Sequence, residues 1–558
     1  MPLPTTNTPW PPVQLEIPHA DMDTWQAWYS GDPNHLAAVY GGVAAYTRNP
    51  VAREFFDVDR RRQAGIGELR MFWGQDPAPG QTAAKLHVPI AADIAEMSAN
   101  LLWSDVPQVT VDGDSTDKTL IQSTTAQIDR YLDDRGHAKM REASEMTSGL
   151  SNVFLRVVWD TSLRPRPWID VIPARAVVPE WRWGLLAGGI VWRELEPLKD
   201  EAEVWRLLEY HTPGVIEYGV YKGDRDNIGI RMDLRDHPSS EEYAARTNVQ
   251  GQQATGVNRL LITHLPNVLP NRMWDGVPGA GPLGRSDYAG IEPMMDALDE
   301  SWTSWMRDLR LGKARVVVPQ SMLETDGPGT GGSFNFDKEM LVALNLLGED
   351  SVKDSITDLQ FKIRVDEHEA TCKALRLQIL SSAGYSAQSF GEEGNVAVTA
   401  TEVAARKEES LTTRGTKILY QRPALLEVLT TMMMVDVKHC GAKGVDPAAE
   451  LTATWRPAVQ PDPESVARTL SLLDAAGAIS TFMKVKMREP SWDDAEVMAE
   501  VRRIRDDQPA TVPAGDPFGT QDPNADPTAD PTAQEQTGAG ADEGKDQQPQ
   551  DHADLKAA

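Results

Sequence analysis

Two cysteines, Cys372 and Cys440, are all that 558 residues contain, too few for a disulfide framework or a cysteine-based zinc module. A reducing compartment is the default expectation. No run approaches the ~18 consecutive apolar residues that a membrane span needs. Met1 to Trp10 is rich in Pro and Thr and lacks a basic stretch followed by an apolar one, so it does not read as a signal peptide, and a soluble chain is expected. Cations are scarce relative to anions: 55 Lys and Arg stand against 83 Asp and Glu, a formal charge of −28. That balance argues against a surface that wraps nucleic acid, because phosphate affinity comes from cations that displace counterions.

The motifs of common chemistries are also missing. Gly312-Lys313 is followed by Ala314, without the hydroxyl of a phosphate-binding loop. No Gly-x-Ser-x-Gly elbow occurs, and the ten histidines are scattered. His368-Glu369 begins like a zinc-protease helix, but Cys372 stands where the second histidine belongs, so surface residues at a helix start are the better reading. Asp112, Asp114 and Asp117 resemble part of a calcium loop without its closing glutamate and read as a solvated turn. Neither an enzyme nor a metal or cofactor site has positive support.

What is present is organisation. The length suits about three or four domains, and 41% hydrophobic with 25% charged residues suits a largely globular chain. From Gln508 the composition turns to Pro, Gly, Ala, Gln and Asp, with ten acidic residues and two lysines, and predicts a disordered acidic tail. That tail carries −8, leaving −20 on residues 1–507.

Helical spacing dominates Ala83 to Arg141, with Pro89 opening a helix to Trp103, and helices follow over Thr119 to Leu132 and Ala138 to Leu150. Short runs rich in Val, Ile, Trp and Tyr then predict strands at Val153–Trp159, Trp168–Ile172, Gly189–Leu195, Val204–His211, Val215–Lys222 and Leu260–Leu265. An α+β body with an antiparallel sheet is expected.

Ser286 to Gly312 is the most informative helix. Tyr288, Ile291, Met295, Leu298, Trp302, Trp305 and Leu309 are spaced alternately by three and four, while Asp287, Glu292, Asp296, Asp299 and Asp308 take other faces. Pro293 predicts a kink or a late start. A small β-containing insert follows over Lys313 to Val365, then a helix opened by Asp366, with Glu369 as its capping-box partner, to Ala383. Gly384 to Val398, GYSAQSFGEEGNVAV, is expected to be a mobile loop. A long helix capped by Thr399 or Thr401 runs to about Cys440 with Pro423 as its kink, and Val403, Leu411, Ile418, Leu425, Leu429 and Met432 form its apolar side. Two helices close the fold, one from Asp462 to Gly477 and one from Ser491 to about Arg505. Basic clusters occur at Arg60 to Arg62, and at Arg307, Arg310, Lys313 and Arg315 where helix meets insert.

This order of elements resembles the portal proteins of tailed bacteriophages over roughly residues 20 to 506. The stretches that carry the likeness are KLHVPIAADIAEMSANLLWSDVPQVTV from Lys85, GLSNVFLRVVWD from Gly149, GRSDYAGIEPMMDALDESWTSWMRDLRLGKARVVVP from Gly284 and SWDDAEVMAEVRRIRDD from Ser491. The resemblance implies a multi-region α+β fold: an N-terminal region and wing over 1–285, stem helices over 286–312 and 366–383 flanking an α/β clip at 313–365, a tunnel loop at 384–400, a long kinked wing helix at 401–445, a helical crown at 446–507 and a tail at 508–558. It further implies a ring, commonly of twelve copies, at one capsid vertex of the virion, assembled in the host cytoplasm, through which DNA is packaged and ejected. The expected partners are further copies of the chain, double-stranded DNA held weakly, terminase, a head-completion or adaptor protein, and a major capsid or scaffold protein, with no membrane.

On that reading Gln388, Ser389, Phe390, Gly391, Glu392, Glu393, Gly394 and Asn395 face DNA, and Ile291, Met295, Leu298, Trp302, Trp305 and Leu309 pack between subunits. Arg307, Arg310, Lys313 and Arg315 make stem or clip contacts. A tunnel loop with two glutamates repels phosphate and does not grip it, which suits a conduit. The alternative is a soluble helical scaffold or adaptor of the virion without a channel.

Overall fold

The computed structural model describes residues 2–41, 72–74, 85–112, 118–198, 203–311, 315–317, 324–325, 332–333, 357–359, 364–391, 408–456, 463–489, 492 and 494–507. The chain divides into two compact units, Met1–Asp462 and Pro463–Ala558.

In chain order the first unit contains α1 (Glu16–Ser30), α2 (Pro33–Gly41), α3 (Ile90–Trp103), β1 (Gln108–Asp112), α4 (Lys118–Tyr131) and α5 (His137–Leu150). Strands β2 (Asn152–Val158), β3 (Trp168–Pro173), β4 (Val177–Arg182), β5 (Leu185–Leu195), β6 (Val204–Thr212), β7 (Val215–Gly223) and β8 (Ile230–Met232) follow. Then come α6 (Pro238–Arg246), β9 (Gln252–Ala254), β10 (Ile262–Pro266), α7 (Glu292–Leu311), the short strands β11 (Arg315–Val317), β12 (Glu324–Thr325), β13 (Gly332–Ser333) and β14 (Thr357–Leu359), α8 (Val365–Ser382), α9 (Glu408–Val435) and β15 (Glu450–Thr454).

All the strand pairs among the described residues are antiparallel, as expected of the body. One sheet runs β10-β2-β3 and a larger one β4-β5-β6-β7-β8, with β9 also on β7. The larger sheet is covered on both faces. Trp205, Leu207, Tyr218 and Val220 join one core, while Leu208, Tyr221, Val178 and Ile190 join another that Leu3, Trp10 and Leu15 complete. Burial on both sides explains why β6 is buried almost throughout, with Arg206, Glu209 and His211 among its buried residues, and shows no alternation of buried and exposed positions. In the insert β11 pairs with β14 and β12 with β13. The rest of the expected clip lies outside the described residues.

Some of the sequence expectations hold at the helix ends and others need correction. Pro293 is the second residue of α7, so the helix starts late at Glu292, where proline's missing N–H costs nothing. Helix α8 begins at Val365 with Arg364 as N-cap and no side-chain cap bond, so Asp366 lies in the first turn and is not the cap. Pro423 lies inside α9, which continues past it and ends in a π turn at Asp436–Cys440. The cap positions Thr399 and Thr401, together with Val403, lie outside the described residues. Strand β15 pairs with β1, which places residues 450–454 in the first unit.

The described residues of the second unit hold three helices where two were expected: α10 (Pro463–Ala475), α11 (Thr481–Arg488) and α12 (Asp494–Asp507). Ser480 caps α11 through the Met483 N–H, and Val485, Val497 and Val501 form a small core with Phe482, Trp492 and Ile504. The tail after Asp507 lies outside the described residues.

The β4–β5 hairpin carries an anomaly. Arg182 pairs with Leu185, leaving Trp183 and Gly184 as a two-residue turn with φ of +57° and +83°. Such turns favour Asn-Gly, yet Trp183 stands there and is 91% exposed. A left-handed backbone costs a bulky residue about 1–2 kcal/mol. Trp183→Asn is therefore expected to raise stability by roughly 1 kcal/mol in urea unfolding; an unchanged or lower midpoint would show the turn to be unstrained.

Buried histidines make the fold acid-sensitive. His264 lies between Phe154 and Trp181, with Nε2 3.0 Å from Asn152 Oδ1, and burial pushes its pKa to about 3. Burial, with Arg175 nearby, takes His19 to about 4. Unfolding restores values near 6.5, so the unfolded chain binds more protons below that pH. Stability is thus expected to fall as pH drops from about 6.5 toward 4, by at most ~1.4 kcal/mol per pH unit for each histidine. His264→Gln, which keeps a donor toward Asn152, should show a shallower decline; an identical slope would exclude His264 as a cause.

Candidate functional site

Helices α7 and α8 form an antiparallel pair joined by the insert, tied at both ends. At the insert end, Asp308 Oδ2 lies 3.0 Å from His368 Nε2 and 3.2 Å from Arg364, and the Trp305 and His368 rings stack at 6.0 Å. Hydrogen bonds from His368 and then Arg364 hold the Asp308 carboxyl below its ordinary range. His368 is thus engaged with α7, and among the described residues no three His, Cys, Asp or Glu side chains converge as a metal set.

At the other end lies a buried polar junction. Asp287, in the turn before α7, accepts hydrogen bonds on Oδ2 from Lys417 (2.5 Å), Ser148 (2.6 Å) and Tyr385 (2.9 Å), and on Oδ1 from Asn267 (2.7 Å). Lys417, on α9, is 2% exposed and also donates to Ser98 of α3 at 2.7 Å. Burial lowers its pKa and the Asp287 carboxylate opposes that shift. One ion pair therefore joins α3, α5, the segment after β10, the start of α7, the residue after Gly384 and α9.

The expected tunnel loop grows from this junction. Gly384 takes φ +86°, and its carbonyl accepts from the Thr413 hydroxyl. Tyr385 is fully buried. Residues Ala387–Phe390 then form a 3-10 turn, ending at Gly391 with φ +75°. Only the first part of the predicted mobile loop is described, and it is tethered: Ser389 Oγ lies 2.9 Å from Ser410 Oγ, and Phe390 meets Tyr385 edge-on at 6.3 Å. Gln388, Ser389 and Phe390 are half-buried within the chain. Gly391 is exposed. Glu392, Glu393, Gly394 and Asn395 lie outside the described residues.

The stem residues divide similarly. Ile291, Met295 and Leu298 are buried in the chain's own core with Ile379 and Leu380 of α8. Trp302 and Trp305 are half-buried and Leu309 is exposed. Arg307 and Arg310 are exposed at the end of α7. Lys313 lies outside the described residues, and of Arg315 only its backbone place in β11 is described.

The acidic positions of α7 are not its solvent face. Asp299, 1% exposed, accepts from Trp73 Nε1 (2.9 Å) and the Val88 N–H (2.8 Å) and meets His87 Nδ1 at 2.8 Å. Asp296 accepts from the Phe72 and Trp73 N–H groups, and Glu292 from Trp25 Nε1 at 2.8 Å. These carboxylates satisfy donors of segments that otherwise would be buried without partners. Periodicity did not reveal them, since a charge opposite an apolar stripe ordinarily faces water. Lys417 had a signal: with Gln421 it interrupts the stripe of Ile418, Leu425 and Val428.

The family model for phage portal proteins of the SPP1 Gp6-like type matches residues 22–512. The chain belongs to this portal family. No curated protein matches it. Among solved structures, the neck of an empty GTA particle, computed with C6 symmetry, is similar at 14% identity with a TM-score of 0.38, covering 74% of this chain and 93% of that one. A portal or connector role and a place in the virion follow from the family, whose members are structural proteins. The family match spans α7, the insert, α8 and α9 as one portal unit, and it ends five residues after α12. Among the described residues no portal helix is long and apolar enough to cross a membrane.

Proposed function

We propose that the chain assembles into a closed ring, of twelve copies, around a central channel at one capsid vertex, through which double-stranded DNA enters during packaging and leaves during ejection. The ring docks terminase on the insert side and a head-completion or adaptor protein, and it sits against the major capsid or scaffold protein. Helices α7 and α8 serve as the stem, the 313–365 insert as the clip, and the segment beyond Gly391 as the tunnel loop. The bulk of the first unit is the wing and α10 to α12 the crown.

The observation that supports this reading most directly is the family match along 22–512, which runs through a helix–insert–helix pair with a segment of glycines and acids returning to a buried junction. Head-to-tail contacts between identical subunits close into a ring when the rotation permits. Of the expected apolar stem positions on α7, Trp302, Trp305 and Leu309 keep surface for such contacts. An acidic chain of net charge −28 suits a conduit, because a phosphate clamp would stall DNA in transit.

Electron microscopy of the purified full chain tests the proposal. Rings with a central channel are expected. Monomers or channel-free assemblies at high protein concentration would favour a scaffold or adaptor and overturn the ring.

A further inference from the structure

We propose that the tip of the β4–β5 hairpin anchors one copy of the chain to the next, with Trp183 seated in an apolar groove on α9 of the neighbouring copy. The tip projects clear of its own chain. Trp183 is 91% exposed and Leu185 75%, and a Cβ added at Gly184 would meet nothing within 4 Å. Trp183 also holds φ +57°, a backbone that Asn-Gly adopts readily in such turns. In the single chain the indole thus strains its own turn and buries almost nothing, so its contribution lies outside the monomer. Residues held in strained backbone concentrate at clamps and contact sites, where the surroundings use them. Tryptophan is among the side chains enriched at interface hot spots, since one aromatic ring buries about 150–250 Å².

The groove lies between α9 and the segment leading into β15. It has a volume of about 620 Å³, with Pro423, Leu426, Met434, Pro447 and Leu451 among its walls. Leu426, Met434 and Leu451 pack on the chain's core with one side and are only half-buried, so apolar surface remains uncovered there. A recess of this size admits an indole with Leu185 beside it. Charge fits as well. Glu427 and Glu450 on the rim are two carboxylates against one guanidinium, that of Arg259. On the tip, Arg182 is exposed beside Trp183, and the carboxylate near it, Glu180, accepts the Tyr210 hydroxyl at 3.0 Å. Copies of a chain with net charge −28 repel one another, and a cation brought to an acidic rim favours their association in one register.

Area identifies the occupant as another copy. One indole with one leucine buries roughly a few hundred Å², against the ~1,200 Å² at the low end of stable two-body interfaces. A contact so small holds as part of a larger one repeated around a closed ring, in which each copy uses its knob on one neighbour and its groove on the other. The inference rests on the ring reading for its partner.

Light scattering and electron microscopy of the full chain over a concentration series supply the first measurement. Trp183→Asn is expected to raise the concentration at which rings form by at least about tenfold, the scale of losing a tryptophan hot spot, without lowering its urea midpoint. Trp183→Phe keeps an aromatic knob and should lose less. Position is read by cross-linking: Trp183→Cys combined with Thr430→Cys in the groove, joined by a bismaleimide that spans the reach of the lost indole, should link copies to one another, and neither single variant should. Wild-type rings with unchanged assembly of Trp183→Asn, or a double variant that links no copies, overturn the knob and leave the ring standing. A link confined to one chain shows the groove filled by its own hairpin and overturns it also. A wild-type chain that stays monomeric removes the ring and this inference together.

Discussion

Lys417→Met is expected to destabilise the first unit by about 3–5 kcal/mol, the usual cost of removing one partner from a buried ion pair. Methionine preserves the volume of the stem, so a cavity is not the cause. Asp287 would still accept from Ser148, Asn267 and Tyr385, but its charge would lie in the core without the ammonium 2.5 Å away. Adding Asp287→Asn removes the stranded charge and should restore part of the loss. Urea unfolding followed by tryptophan fluorescence provides the measurement. A loss below about 1 kcal/mol, or no recovery in the double variant, would show that hydrogen bonds and not the ion pair hold the junction.

The second large effect concerns the segment after Gly391. Excision of residues 391–398, closed by a short Gly-Ser linker, leaves Gly384, Tyr385, Ser389 and Phe390 on their partners. Rings should form and DNA packaging should be abolished. A deletion that instead begins at Gly384 removes the Tyr385–Asp287 and Thr413–Gly384 bonds and buries nothing in their place, so reduced folding or assembly is expected from it. The contrast separates a role in the channel from a role in the core. Normal packaging by the shorter excision, scored with rings confirmed by microscopy, would refute the tunnel assignment.

Much of the architecture was legible because periodicity reports burial directly. The strands from Val153 to Leu265 and helices α3, α4, α5, α7 and α8 lie where their apolar spacing places them, with ends shifted by a few residues. Short elements escaped: β1 and β15 because each is completed by a partner more than 300 residues away, and α11 because its eight residues span barely two turns. The junction escaped for a different reason. Periodicity sorts residues by hydrophobicity, so it assigns Asp287, Asp296 and Asp299 to solvent, whereas the fold uses their oxygens to satisfy buried N–H donors from segments distant in sequence. Such pairings are set by tertiary geometry alone.

The sharing of Asp287 has a mechanical consequence. A carboxylate that serves four donors from four segments cannot release one without altering the field felt by the rest. Each lost bond costs on the order of 1–3 kcal/mol in such surroundings. Tyr385, three residues after the end of α8 and six before Gly391, and Lys417 of α9 thus hold one and the same oxygen at the base of α7, so a displacement of either segment acts on a common atom.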